Sequence, residues 1–219
     1  LMPQLGLRGA LLTLAFALCL AAAWLGRQFQ RGTIQLLSAV VGAGVLLVAA
    51  MGGENWRQLM SSGIFRLRET ELTKGLVAHR TQHIKIHFYE DAADASVSVE
   101  QGDGAAVSDQ FVLRINGKPD ATSRGDMATQ YLLAHLPLLA RPASREVFVL
   151  GFGSGVTAGA LLGHPVERVT VAENCEPVLR AGKYFAPWNR NVLTDPRARI
   201  VTEDARTLLK LSPQRYDAI

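Results

Sequence analysis

Only two of the 219 residues are cysteine, and they are far apart: Cys19 lies in an uncharged run and Cys175 follows a strand-like segment. Such a pair builds no disulfide framework, so the small stapled secreted folds are excluded. Leu18 before Cys19 also argues against lipidation, and Cys175, although it opens a helix, reads as an inert small residue rather than a nucleophile. Charge is scarce too, at 19% of residues. The net charge of +4 comes from basic residues scattered along the chain. No basic cluster interleaved with aromatics occurs, which excludes a nucleic-acid partner. His83, Lys85 and His87 would share one face of a strand, but no carboxylate or third histidine follows at ligand spacing, so no metal is expected. There is no internal repeat and no low-complexity tract.

What the chain has in excess is apolar: 48% of residues are hydrophobic. The excess falls in two uncharged runs, residues 9–26 and 32–53. Each is long enough to cross a bilayer core of about 30 Å as a helix. Small residues at helical spacing (Ala15, Cys19 and Ala23; Ala39 and Ala43) would let the two helices approach closely. A cleaved signal peptide competes for the first run, since Arg8 precedes it and Ala21-Ala22-Ala23 resembles a cleavage site. The second run follows at once, so residues 1–53 read as two transmembrane helices in contact with the lipid bilayer. Arg27 and Arg31 lie in the link, whereas Arg57, Arg66, Arg68, Lys74, Arg80 and Lys85 follow the second run. That asymmetry, with anionic lipid as partner, predicts a multi-pass protein of the inner or plasma membrane with its remaining domains in the cytoplasm. Residues 54–82 read as a juxtamembrane linker with Trp56 and Phe65 as interface anchors. Residues 84–100 and 111–116 alternate apolar and polar side chains, which predicts a small antiparallel β domain over 83–122 with a loop from Gln101 to Gly104.

Residues 123–219 carry a different pattern. Glu146–Leu150 (E-V-F-V-L) reads as a buried parallel strand, the turn Gly151-Phe152-Gly153-Ser154-Gly155 follows, residues 156–162 form a small-residue helix, and Arg168–Ala172 forms the next strand before Glu173. Glycines let the backbone turn tightly and approach a ligand, and a carboxylate about 20 residues on accepts from ribose hydroxyls. The expected ligand is therefore an adenosine-bearing cofactor. The register from Gly153 fits a dinucleotide fingerprint, whereas a strand ending at Leu150 places the start of the turn at Gly151 and favours a sulfonium cofactor. After a third strand at 198–202, Asp204 stands where a carboxylate either reads an adenine amino group or caps the helix that Ala205 begins.

Residues 88–219 resemble the polyamine aminopropyltransferases, the spermidine and spermine synthase family, and in particular its membrane-fused bacterial members. The resemblance rests on Leu113-Arg114-Ile115-Asn116-Gly117-Lys118, Gly125-Asp126-Met127-Ala128-Thr129-Gln130 leading into Ala134-His135-Leu136-Pro137, the Gly151 turn, and Lys183-Tyr184-Phe185. Asp195-Pro196-Arg197, Asp204-Ala205-Arg206 and Tyr216-Asp217-Ala218-Ile219 complete it. It implies an α/β protein with a β-rich piece before a Rossmann-like sheet that binds S-adenosylmethionine or its decarboxylated form as co-substrate, without a metal. The implied cofactor contacts are Gly151, Gly153, Ser154, Gly155, Glu173, Asp204 and Ala205. Asp126 and Gln130 are the implied substrate-side residues, although Asp126 also reads as the N-cap of the helix through Leu139. The family further implies a homodimer.

Several residues depart from the family pattern. An acid usual inside the glycine turn is Ser154 here, a Tyr-His pair is Thr129 and Gln130, the glutamine expected after the Asn-Gly turn falls at Asp120, and an S-x-Y-Q motif is missing near residues 92–96. The family's catalytic Asp is expected just beyond Ile219, so the chain reads as a fragment cut at both ends, with its parallel sheet incomplete. The expected function is membrane-anchored aminopropyl transfer from decarboxylated S-adenosylmethionine to a polyamine such as putrescine. Methyl transfer from S-adenosylmethionine and non-catalytic cofactor binding are the alternatives.

Overall fold

The computed structural model describes residues 2–29, 31–51, 55–64, 72–103 and 110–219. The expectations placed on Gly53, Phe65, Arg66, Arg68 and Gly104 lie outside the described residues.

Helices α1 (Met2–Gln28) and α2 (Gly32–Met51) form an antiparallel hairpin. A Cβ on Gly42 would lie 3.7 Å from Cys19 Cβ, and one on Gly26 would lie 3.1 Å from Gln35 Cγ. The seam thus runs through Cys19, Ala22 and Gly26 against Ser38 and Gly42. Ala39 and Ala43, expected at the seam, are exposed, because the phase of α2 turns the Ser38–Gly42 stripe inward instead. Among the described residues one helix, Gln4–Gln28, is long and apolar enough to cross a membrane, and the apolar stretch of α2, Gly32–Leu47, is shorter. Near its start α1 is broken at Gly6 (φ 67°), and the N–H of Leu7 donates to Asp91 Oδ2 at 2.9 Å, which ties the hairpin to the domain that follows.

Helices α3 (Asn55–Ser61) and α4 (Leu72–His83) occupy the segment expected as a linker, and both pack on the first sheet. Arg80 is one of the basic residues expected in the segment that follows the second apolar run. It is 5% exposed and donates to Gln58 O, Ser61 Oγ and Glu100 Oε1, the last at 2.7 Å. Arg114 Nε approaches the other Glu100 oxygen at 2.9 Å, so one buried carboxylate faces two guanidinium groups.

The first sheet is antiparallel in the order β1 (Ile84–Asp91), β2 (Ser96–Gly102), β3 (Phe111–Ile115), β4 (Lys118–Thr122). The alternation from 84 to 100 is two strands folded about residues 92–95, not one. His83 closes α4 instead of joining His87 on a strand, and a register shift between Ile86 and Phe88 breaks the alternation further. Strand β4 was not expected because Pro119 and Asp120 disfavour strands; as an edge strand it tolerates the missing N–H of proline. Asn116 (φ 50°) and Gly117 (φ 71°) both adopt positive φ, the two-residue hairpin turn that joins β3 to β4.

The second sheet is parallel: β5 (Glu146–Leu150), β6 (Arg168–Ala172) and β7 (Ala198–Val201) lie in that order. Around it run α5 (Met127–Ala140), α6 (Val156–Leu161), α7 (Glu176–Ala181), α8 (Ala186–Asn189) and α9 (Ala205–Leu211). After α9 the chain returns to the far side of β5, where Ala218 bridges Val147 in parallel and accepts the Phe148 N–H at 3.0 Å. Asp217 fixes that return by accepting the N–H groups of Arg145 and Glu146 at 2.7 and 2.9 Å, which hold its carboxyl below the usual range. One hydrophobic core joins the sheets, with Val97, Val99 and Leu113 from the first, Val169 and Val171 from the second, and Phe185. The Arg180–Glu90 ion pair and the Tyr184 hydroxyl, which donates to His87 O, hold the two units together at the surface.

Candidate functional site

β6 and β7 lie on one side of β5 and the returning chain lies on the other, so the C-terminal end of β5 is a point where strand order reverses. Open parallel sheets bind ligands in the crevice at such a point. The glycine turn sits there. Gly151, whose N–H donates to Ala172 O at 2.9 Å, begins the turn directly after β5, and α6 starts at Val156, which selects the Gly151 register over the Gly153 one. Gly151 and Gly153 have φ of 84° and 56°, and a Cβ on either would meet no atom within 4 Å. Their backbone therefore faces open space that a ligand can fill. Gly155 is held by packing: a Cβ there would lie 2.5 Å from the Phe152 ring. The helix that follows has only six residues, and the N–H of Val156 already donates to Ser154 Oγ at 3.3 Å, so the turn rather than the helix end presents the site.

Glu173, at the end of β6, is 9% exposed and grips the turn. Its Oε2 accepts the Phe152 N–H at 2.9 Å and its Oε1 accepts the Cys175 N–H at 3.0 Å. A carboxylate oxygen accepts more than one hydrogen bond, so these contacts hold the side chain in place and leave acceptor capacity on both oxygens. Burial pushes the Cys175 thiol up from its ordinary value, away from the thiolate that a nucleophile needs.

A polar chain crosses from α5 to the turn. Ser154, 2% exposed, donates to Gln130 Oε1; Gln130 Nε2 donates to Thr122 O at 3.0 Å, and Thr157 Oγ1 donates to Gln130 O at 3.0 Å. Asp126 stands at the N-cap position of α5 but makes no side-chain cap bond. Its Oδ1 accepts the N–H and the hydroxyl of Thr122 instead, which locks the end of β4 to the start of α5.

The cleft at this place has a volume of about 460 Å³. Of the residues expected from sequence it gathers Gly151, Gly153, Ser154, Glu173, Asp126 and Gln130. Gly155, Asp204 and Ala205 are not on its walls. Asp204 caps α9, its Oδ1 accepting the Thr207 N–H at 2.8 Å, and Ala205 is buried in the small cluster with Phe148. In a chain of net charge +4 the cleft is lined, among the described residues, by three carboxylates, Asp120, Asp126 and Glu173, and by no Lys, Arg or His. Among the described residues no three His, Cys, Asp or Glu side chains gather to hold a metal. Sequence reasoning missed Asn189. Its Nδ2 donates to Ser154 O and Gly182 O, both at 2.9 Å, beneath the turn, and nothing in the spacing links position 189 to the glycines.

The model of the spermine/spermidine synthase domain matches residues 126–219, the part of the chain that carries the turn, Glu173 and the polar chain. Over these residues the chain is similar to the spermine/spermidine synthase family. The chain is also similar to polyamine aminopropyltransferase 1 of Streptomyces coelicolor, 29% identical over 195 residues, a match covering 87% of this chain and 34% of that protein. The chain spans less than two fifths of the curated relatives it matches. Two spermidine synthase structures share the fold, one from Thermotoga maritima and one in complex with the transition-state analogue AdoDATO. Each has a TM-score of 0.55 and 21% identity, covering 61% of this chain and 46% of the other.

Proposed function

We propose that this chain is part of a membrane-anchored, spermidine synthase-like transferase. It takes decarboxylated S-adenosylmethionine beside the glycine turn and passes the aminopropyl group to an amine such as putrescine. The observation that carries this reading is the acidic, base-free cleft at the C-terminal end of β5. Both partners of such a reaction are cations, a sulfonium and an ammonium, and both are favoured by a lining that carries carboxylates. In the step itself, the nitrogen lone pair of the neutral amine forms a bond to the carbon beside sulfur. The carbon–sulfur bond breaks, its electron pair stays on the neutral thioether, and one proton leaves the new ammonium. The cleft residues bind and orient, which is what an in-line displacement needs most.

In this reading the backbone at Gly151 and Gly153 lies against the cofactor, and Glu173 accepts from its ribose hydroxyls. Ser154 and Gln130 form the neutral wall, and Asp126 faces the amine. Asp204 and Ala205 are the adenine-side residues. The proton acceptor is assigned to no residue of this chain. Exposed Leu11, Leu14, Leu18 and Leu25 on α1 and Leu36, Leu37, Val40 and Val41 on α2 give the hairpin its lipid-facing surface. Leu7 is tied to Asp91, so the start of α1 lies at the transferase domain and the link bearing Arg31 lies at the far end of the hairpin. That arrangement suits a cytoplasmic catalytic domain that pairs with a second copy of itself.

The test is to give the detergent-purified natural protein decarboxylated cofactor with putrescine and follow methylthioadenosine and spermidine by mass spectrometry. Formation of both is expected. Methylated amine formed from carboxylated cofactor would assign methyl transfer instead. Cofactor binding without any product would leave a non-catalytic binding protein.

A further inference from the structure

The three carboxylates of the cleft are not equally available. Both Glu173 oxygens are engaged by backbone N–H groups of the turn, and Asp126 accepts two hydrogen bonds from Thr122. Among the described residues Asp120 has one ion partner, Lys118 at 3.7 Å, and their side chains are 39% and 61% exposed. A long, solvated pair of this kind contributes little and yields readily to a better-placed cation. Within the turn Ser154 offers no charge of its own, because it is buried and spends its hydroxyl proton on Gln130. Of the three carboxylates Asp120, on the edge strand β4, is therefore the most exposed and the least engaged, and Pro119 before it fixes the local backbone. Apolar Ile115, Leu133 and Pro137 line the same cleft and suit an aliphatic stem.

We propose that Asp120 is the specificity-determining residue of this site: its carboxylate holds an ammonium end of an aliphatic amine from the β4 wall, while the neutral Ser154–Gln130 wall holds none. The assignment rests on the amine-binding reading of the cleft given above. It makes Asp120 a substrate-positioning group and places the cationic end of the amine away from the glycine turn.

The test is isothermal calorimetry on the full chain in detergent, with putrescine as the amine probe and methylthioadenosine as an uncharged probe of the adenosine site. Asp120→Asn is expected to weaken putrescine at least tenfold, to flatten the salt dependence of its binding, and to leave methylthioadenosine within twofold. Asp120→Glu is expected to recover most of the lost affinity. Unchanged putrescine affinity in Asp120→Asn overturns the proposal, as does a wild-type chain that binds no putrescine. Failure to bind methylthioadenosine, with the Asp120 effect intact, would remove the transferase reading and leave the amine site standing.

Discussion

Glu173 accepts two backbone N–H groups while buried at the lip of the cleft, so its loss acts on both structure and binding. Hydrogen bonds to a charged acceptor contribute roughly 1.5–3 kcal/mol each. Glu173→Ala is expected to lower stability by about 2 kcal/mol in a urea titration and to weaken methylthioadenosine by about tenfold or more. Unchanged affinity would remove the ribose assignment. A second residue-scale expectation concerns His164, whose Nε2 lies 2.7 Å from His135 Nδ1. Burial, and then the neighbouring His135, push His164 below its ordinary value of 6.5. The folded state therefore resists the proton that the unfolded state accepts. The stabilising contribution is full above pH 6.5 and is lost as pH falls below that value towards the lowered folded pKa. Melting temperatures recorded from pH 7.5 to 5.5 should fall along this interval, and His164→Gln should flatten the slope.

At the scale of elements, the packing under the glycine turn is unforgiving. A Cβ on Gly159 would sit 2.1 Å from the backbone oxygen of Asn189, and main chain cannot swing aside as a side chain does. Gly159→Ala should cost about 1–3 kcal/mol in chemical denaturation through overpacking of α6 against α8. The buried Arg80 joins α4 and α3 to β2 through Glu100. Its removal takes one of the two guanidinium groups from the buried Glu100, and Arg80→Ala should cost about 3 kcal/mol by the same measurement. The limits of β5 and β6 were legible in the sequence because fully buried parallel strands are short apolar runs bounded by turn residues. The first sheet was less legible. A hairpin at 92–95 and a register shift near His87 interrupt its alternation, and the edge strand β4 carries proline and aspartate at positions that need no ladder hydrogen bond. Likewise Gln58 and Arg80 look like linker residues until the sheet they satisfy is in place.

For the whole molecule, the hairpin at the front of the chain carries large exposed apolar side chains along both helices. Burying each is worth about 1.5–3 kcal/mol, enough in sum to hold the chain in a bilayer. Expressed protein should therefore sediment with membranes and stay there through an alkaline carbonate wash; recovery in the supernatant would remove the membrane reading.

Hydrophobic runs, the glycine turn and the distance from Gly151 to Glu173 are properties of local sequence, since they depend on residue type and chain geometry over one βαβ unit. From them follow the apolar hairpin, the parallel sheet, and Gly151, Gly153, Ser154 and Glu173 at the cleft, whereas Asp126 and Gln130 come from the family resemblance. Which of the two roles Asp204 and Asp126 take could not be read locally, because a carboxylate before a helix looks the same whether it caps, braces a turn or faces a ligand. Tertiary structure shows Asp204 capping α9, Asp126 bracing Thr122, and Asn189 supporting the turn from a distance in sequence, bonds that leave a further ligand contact open to either acid. It also brought Asp120 from an edge strand into a cleft without a basic residue. Charge in a cleft is set by which side chains the fold gathers there, and a net charge of +4 over the chain gave no sign of it.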